Sequence, residues 1–213
     1  MQIDFKQLTK NEIYHTVTQT LVPRPIAWVL SQHQGGHFNL APFSYFTAVS
    51  SAPPLVMFSV DAKAPGIKKD TAVNIHEHNP YFVVHIANAS QAEAVTETSR
   101  TLPAEESELN NIDILLTAFD GFPMPRLSGV PIAFGCKLHS TQQVEGTLQT
   151  LIFGEIEQLY IDDKCATTTA YVDKAGRQRT RLTVDAKQLD PLSRLGAGEY
   201  GTLGTVKSVP RPR

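Results

Sequence analysis

The stretch that decides the fold covers residues 22–50 and contains two apolar runs. The first run is Pro23–Val29 (PRPIAWV), and the second is Asn39–Thr47 (NLAPFSYFT). Gly35–Gly36 lies between them. Two β-prone runs joined by a Gly-Gly turn predict a β-hairpin. The hairpin predicts a protein rich in antiparallel strands.

The second run has an unusual alternation of polar and aromatic side chains. Its polar members are Asn39, Ser44 and Thr47, and its aromatic members are Phe43, Tyr45 and Phe46. Such a wall suits a planar heteroaromatic ligand, because ring faces stack on apolar groups and ring edges need fixed donors and acceptors. The alternative is an aromatic strand packed in a core with its hydroxyls toward solvent. The pattern alone favours this alternative.

Length and composition predict an ordinary globular protein. The chain has 213 residues, 41% hydrophobic content and a net charge of −2. We expect one domain over 1–205 and a flexible tail over 206–213. A pI of about 6.4 argues against a nucleic-acid partner. No apolar run approaches the roughly twenty residues of a membrane span, and the N-terminus lacks signal-peptide features. These observations predict a cytoplasmic location without a membrane partner.

The apolar pattern predicts many short strands with helices gathered in the middle of the chain. A helix is also indicated after Pro65–Gly66, where Ile67, Thr71, Asn74 and Ile75 fall three to four residues apart. Ser90 with Glu93 predicts a capping box. The predicted strands are 25–33, 37–51, 55–60, 81–87, 132–144 and 148–161. The predicted helical segments are 67–76 and 90–110. A hairpin turn is predicted at 173–176. This order is typical of an all-β or α+β barrel.

Lys69, Asp70 and Thr71 stand near the start of the predicted helix over 67–76. Unpaired N–H groups and the positive end of the helix dipole attract anions there, and a lysine and a hydroxyl complete a phosphate site. The alternative is a solvated first turn. Taken alone, the pattern favours the solvated turn.

Several common kinds of site have no sequence support. The run GAGEYG at 196–201 has the G-x-G-x-x-G spacing, but it does not follow a strand–turn–helix pattern. The chain also has no phosphate-binding P-loop, so a dinucleotide-binding fold is not indicated. His76 and His78 would point to different faces of a helix, so they would not share a metal ion. Cys136 and Cys165 are far apart and predict neither a metal site nor a dithiol. His85 and His139 lie on predicted strands, where each is either satisfied in the core or facing a cleft.

Six motifs together resemble the flavin reductase-like, FMN-binding split-barrel family, which includes flavoredoxin. They extend from about residue 20 to residue 202, nearly the whole chain. The motifs are PRPIAWV at 23–29, NLAPFSYF at 39–46, PPLVMFS at 53–59, KDTAVNI at 69–75, GCKL at 135–138 and RLGAGEY at 194–200. The last motif departs from the family pattern, because Ala197 and Gly198 stand where the family has a second adjacent glycine.

The resemblance implies a mainly β, α+β fold, namely a split β-barrel with Greek-key connections and a few peripheral helices. It also implies a homodimer with FMN near the subunit interface. The implied phosphate contacts are Lys69, Asp70 and Thr71. The other implied cofactor-binding residues are Arg24, Trp28, Asn39, Ala41, Pro42, Phe43, Ser44, Tyr45, Phe46, Thr47, Arg194 and Tyr200.

The activity that the resemblance implies is hydride transfer from NAD(P)H to N5 of bound flavin. No protein acid or base is required for such a transfer, because the chemistry belongs to the cofactor. No residue is therefore assigned as catalytic. Two alternatives stay open. One is a flavoredoxin-like carrier that binds FMN without its own NAD(P)H turnover, and the other is a ligand-binding member that has lost turnover.

Overall fold

The structure of the protein is a computed structural model that describes residues 1–103, 105–210 and 212. Residues Ala104, Arg211 and Arg213 lie outside the described part, so two positions of the predicted tail over 206–213 are not described. Short 3₁₀ turns cover Phe5–Gln7, Ala89–Gln91 and Glu108–Asn111. The α-helices are α1 (Lys10–Thr20), α2 (Asp70–Val73, continued by a π-helical turn over Asn74–His78), α3 (Ala92–Glu97) and α4 (Ala186–Leu189).

Strands make up most of the regular structure. In chain order they are β1 (Arg24–Pro25), β2 (Ala27–Gln32), β3 (Phe38–Phe43), β4 (Phe46–Ser51), β5 (Pro54–Val60), β6 (Ala62–Ala64), β7 (Ile67–Lys68), β8 (Tyr81–Ile86), β9 (Leu116–Thr117), β10 (Arg126–Leu127), β11 (Ile132–Gln143), β12 (Thr150–Ile161), β13 (Ala166–Val172), β14 (Gln178–Val184), β15 (Ser193–Arg194) and β16 (Tyr200–Gly201).

One antiparallel sheet of seven strands forms the body of the molecule, in the order β3-β2-β8-β11-β12-β5-β4. Strands β3 and β4 follow each other in the chain but lie at opposite edges of this sheet. The sheet curls until these edges approach each other. The centre of the Phe43 ring on β3 lies 5.2 Å from the centre of the Phe58 ring on β5, the strand next to β4. The result is the predicted split barrel, in which neighbours such as β2 and β8 are joined by crossovers of the Greek-key type.

The predicted hairpin at Gly35–Gly36 is confirmed, but its second strand ends earlier than predicted. Strands β2 and β3 pair from Ala27 opposite Phe43 to Gln32 opposite Phe38. The single arm predicted over 37–51 is wrong, because the chain bends at Ser44 and Tyr45 and continues as β4. Strand β4 pairs with β5 instead. An apolar pattern that continues through a bend cannot reveal that bend.

The buried core contains two polar side chains that are fully satisfied. Trp28 on β2 is completely buried and donates its indole N–H to the Thr98 hydroxyl, 2.8 Å away. His85 on β8 is also completely buried, with Nδ1 3.1 Å from the Trp28 carbonyl oxygen and Nε2 3.0 Å from the Leu127 amide nitrogen. Of the two interpretations of His85, the structure shows the core residue.

The predicted capping box in the acidic segment is displaced by two residues. Asn88 and Gln91 form it, in place of Ser90 and Glu93. The asparagine side chain accepts from the Ser90 amide, and the glutamine side chain accepts from the Asn88 amide. Both pairs fit the spacing rule, and asparagine is as good an N-cap as serine.

The hairpin of β13 and β14 projects from the body, with almost every side chain exposed. Arg177 comes just before its second strand, Arg179 and Arg181 lie on that strand, and all three are exposed. Asp173 accepts from Arg177 and Arg179 at the turn. Across the described residues, the structure contains no helix that is both long and apolar enough to cross a membrane.

Candidate functional site

A cleft with two lobes lies along the free edge of β3. The first, which we call the cationic lobe, has about 500 Å³ of empty space and is lined by Asn39 and by the charged residues Lys63, Lys69, Asp70, Arg100 and Glu108, among others. The second, the aromatic lobe, has about 720 Å³ and is lined by Tyr14, Ile26, Val95, Arg194 and Tyr200, among others. Pro42 and Ser99 border both lobes, so the lobes are contiguous.

Lys69 provides a positive charge in the cationic lobe that no carboxylate neutralises. It occupies the N-cap position of α2 without a capping bond from its side chain, and its Nζ lies 5.9 Å from the centre of the Phe43 ring. Within the described residues it takes part in no ion pair. Lys63, by contrast, is bound to Asp70 at 2.8 Å. An unpaired ammonium group beside backbone N–H groups is suited to an anionic ligand.

Asn39 and Thr71 join β3 to α2 at the floor of the cationic lobe. Both are buried, and Asn39 Nδ2 donates to Thr71 Oγ1 at 3.0 Å. The bond fixes the distance between the edge of β3 and the start of α2. It does not use the side-chain oxygen of Asn39, Oδ1, which can accept from other partners. Both side chains line the lobe, so the structure brings together the two sequence runs that were predicted to share a ligand.

Arg24 holds the wall of the aromatic lobe in place. It is buried, and its guanidinium donates to the carbonyl oxygens of Thr18 and Leu21 at the end of α1 and to that of Leu195, with a weaker bond to Ser44 Oγ at 3.4 Å. An arginine at a helix C-terminus satisfies carbonyls that have no intrahelical partner. Arg24 thereby fixes α1, which carries Tyr14, against the loop that follows β15.

Arg194 and Tyr200 form the far side of the aromatic lobe. The guanidinium lies over the tyrosine ring, with Cζ 4.7 Å from the ring centre. It donates to the Ala197 carbonyl oxygen, so the loop over 195–199 curls around it. Ala197 itself has a φ of 49°, a conformation that favours glycine. The residue at which the chain departs from the family motif thus adopts a left-handed backbone without being a glycine.

Some of the predicted site residues lie outside both lobes. Trp28 is in the core, and its indole N–H is bonded to Thr98, which lines the cationic lobe. Tyr45 lies in the bend after β3, and Phe46 and Thr47 lie on β4, so none of these three lines the cleft. Those that line a lobe are Asn39, Ala41, Pro42, Phe43, Ser44, Lys69, Asp70, Thr71, Arg194 and Tyr200.

Several lining residues had no recognisable signal in the sequence. Tyr14 comes from α1, Lys63 from β6, and the segment 98–101 follows α3. Glu108 is 5% exposed and accepts the Leu40 N–H at 3.0 Å through Oε2. Burial raises the pKa of Glu108, and its hydrogen bonds from the Leu40 and Glu108 amides oppose the shift.

Comparisons with known proteins agree with this architecture. An uncharacterized protein of Bacillus subtilis, YwrF, is 33% identical over 97% of this chain and 96% of its own. The nitrilotriacetate monooxygenase component B from Bacillus cereus is 30% identical, has a TM-score of 0.82 and covers 98% of each chain. A Shewanella frigidimarina protein with a split barrel domain, at 20% identity and a TM-score of 0.80 with both chains fully covered, supports the fold alone.

The family is shown by a domain model that spans most of the chain. Residues 19–180 match the model of the flavin reductase like domain. That range contains the β3 edge, Lys69 and the segment 98–101, and therefore most of the cleft. The chain belongs to the flavin reductase like domain family.

Proposed function

We propose that the protein is an FMN-binding oxidoreductase that takes hydride from NAD(P)H. The observation that supports this most strongly is the joining of a cationic lobe to an aromatic lobe at Pro42 and Ser99. FMN has a matching arrangement, because an anionic phosphate lies at one end of the molecule and a planar ring system at the other. Membership of the flavin reductase like domain family supports the same assignment.

The residues present fit this cofactor. Lys69, helped by Thr71 and the amides at the start of α2, would hold the phosphate. The edge of β3 from Asn39 to Phe43 would run beside the ribityl chain, and Tyr14, Ile26 and Tyr200 would border the ring. When bound, FMN supplies N5 as a hydride acceptor, which is why the chain needs no catalytic acid or base.

A second reactant would reach the flavin from the side of α1. Tyr14 at its rim is 58% exposed, so the lobe is open to solvent on the side of α1. A nicotinamide ring could therefore stack on the open flavin face without any dinucleotide-binding motif.

The test of this proposal is reconstitution followed by turnover. We expect the purified protein, incubated with FMN and desalted, to retain about one flavin per chain and to oxidise NADH or NADPH with added flavin as acceptor. Flavin retention without NAD(P)H oxidation would favour the carrier alternative. A protein that retains no flavin and shows no turnover would contradict the proposal.

Arg194 is expected to tune the redox potential of the bound flavin. Its positive charge in the aromatic lobe would stabilise negative charge on a reduced ligand. Replacing it by Arg194→Gln should lower the two-electron midpoint potential by about 30 mV, the equivalent of about 1.4 kcal/mol. Spectroelectrochemical titration measures the shift. Arg181→Gln, on the exposed β13–β14 hairpin, is the control and should leave the potential unchanged; an equal shift in both would contradict the local role of Arg194.

We further propose that the chain forms a homodimer. The β13–β14 hairpin exposes Val172, Leu182 and Val184 on one face, and a hairpin without further packing is marginally stable in water. A second copy would cover this face. Light scattering should give twice the mass of the chain for the wild type, and Leu182→Lys should shift it toward the mass of one chain. A wild-type monomer would contradict the proposal.

A further inference from the structure

Glu108 is a buried carboxyl group in the cleft that hydride transfer does not require. It opens the 3₁₀ turn Glu108–Asn111, lines the cationic lobe and is 5% exposed. Few glutamates are buried to this degree without a paired cation. No basic side chain forms an ion pair with Glu108 within the described part of the chain. Its position therefore needs an explanation beyond packing.

Part of the explanation is the free edge of β3. This strand is the outermost of the seven-stranded sheet, so its outward N–H and C=O groups face no neighbouring strand in the part of the chain that the structure describes. Oε2 of Glu108 accepts the Leu40 N–H, and the Ser107 hydroxyl donates to the Phe38 carbonyl oxygen. Residues 107 and 108 thus take the place of a strand. A neutral amide or acid would serve this purpose as well as a carboxylate, so the negative charge is not explained.

The charges around Glu108 show what its ionisation depends on. Burial raises its pKa, the Leu40 and Glu108 amides lower it, Asp70 raises it and Lys63 lowers it. Lys69 and Arg100 are the other charged groups that line the lobe. Lys63 is already bound to Asp70, and Glu105 and Glu106 on the same segment are exposed. An incoming anion would share the same few cations with Glu108.

We propose that Glu108 takes up a proton from solvent when the cationic lobe binds the phosphate of FMN. This inference rests on the proposed function. The proton adds to Oε1, while Oε2 keeps its hydrogen bond from Leu40, so the edge of β3 stays covered. One negative charge leaves the lobe as the phosphate enters it. Glu108 is thus a positioning residue that couples ligand binding to pH.

The physical reason is that two anions in one partly desolvated cleft favour protonation of one of them. By linkage, a site that gains a proton on binding loses affinity as pH rises. The contribution of Glu108 should approach a ten-fold change in Kd per pH unit over the range in which it titrates. Ionisation of the phosphate itself changes the total proton count, so only the difference from a variant without the carboxyl group is diagnostic.

The experiment is calorimetric titration of FMN into wild type and Glu108→Gln, each in two buffers of different ionisation enthalpy. The glutamine keeps an acceptor for Leu40 and removes the ionisable group. We expect wild type to take up close to one proton more per FMN than Glu108→Gln, and Glu106→Gln, an exposed control on the same segment, to match wild type. Equal proton counts in wild type and Glu108→Gln would overturn the inference.

A second measurement uses wild-type protein alone and does not depend on the folding of a variant. Infrared difference spectra on binding FMN should show a protonated-carboxyl band that riboflavin, which lacks the phosphate, does not produce. Absence of that band with bound FMN would also overturn the inference. Failure of the proposed function looks different, because in that case wild type would bind neither FMN nor riboflavin.

Discussion

Lys69→Ala should weaken FMN binding by about 10- to 150-fold, the equivalent of about 1.5–3 kcal/mol for a charge-assisted contact. The expected effect is large because Lys69 lines the cationic lobe and, among the residues that the structure describes, has no carboxylate partner. Its removal would leave the phosphate without its main unpaired cation. Fluorescence titration of FMN against the protein measures the change in Kd.

The chain offers a matched control at the preceding position. Lys68 lies on the other side of the segment, is bound to Glu77 at 3.3 Å and lines no part of the cleft. Lys68→Ala should therefore bind FMN as wild type does. Riboflavin affinity should be equal in all three proteins, because it has no phosphate. If Lys69→Ala weakens riboflavin as much as FMN, the lysine does not bind the phosphate.

The general fold could be predicted because its signals are local. The Gly35–Gly36 turn, the apolar run of β5 and the turn at Asp173–Gly176 each specify one element within a few residues. The barrel follows when many such elements must share one core. The bend at Ser44–Tyr45 could not be predicted, since it depends on β4 finding a partner in β5 at the other side of the barrel.

The candidate site could be predicted only in part, for the same reason. The run from Asn39 to Phe43 and the group Lys69–Thr71 belong to motifs, and the structure brings them together. Tyr14, Lys63 and Glu108 belong to no motif and reach the cleft through tertiary packing. Glu108 illustrates the limit, because Glu105 and Glu106 close by have the same side chain and differ from it in burial.

His85 should make the stability of the fold depend on pH. Burial is the largest cause that lowers its pKa to about 3, with the Trp28 carbonyl opposing and Arg126 adding to the shift. Because Nε2 accepts the Leu127 N–H, the proton of the neutral ring lies on Nδ1 and is donated to Trp28. A second proton on Nε2 would place two N–H donors against each other and break the bond from Leu127, so the folded protein keeps His85 neutral.

The sign follows from the unfolded chain, in which His85 takes up a proton below pH about 6.5. The stabilising effect of His85 is complete above that pH and is lost as the pH falls toward 3. Between pH 7 and pH 4.5 the loss should be about 2.5 kcal/mol of unfolding free energy. Urea denaturation at the two pH values measures it.

A variant without the imidazole should lack this part of the pH dependence. His85→Asn should be less stable than wild type at pH 7 by about 1–3 kcal/mol, since the Leu127 N–H loses its buried acceptor. Between pH 7 and pH 4.5 the unfolding free energy of this variant should fall by about 2.5 kcal/mol less than that of wild type. The carboxylates titrate equally in both proteins, so the difference is due to His85. His139→Asn removes an exposed histidine and should keep wild-type stability at pH 7. Equal losses in wild type and His85→Asn would show that His85 does not carry the acid sensitivity of the core.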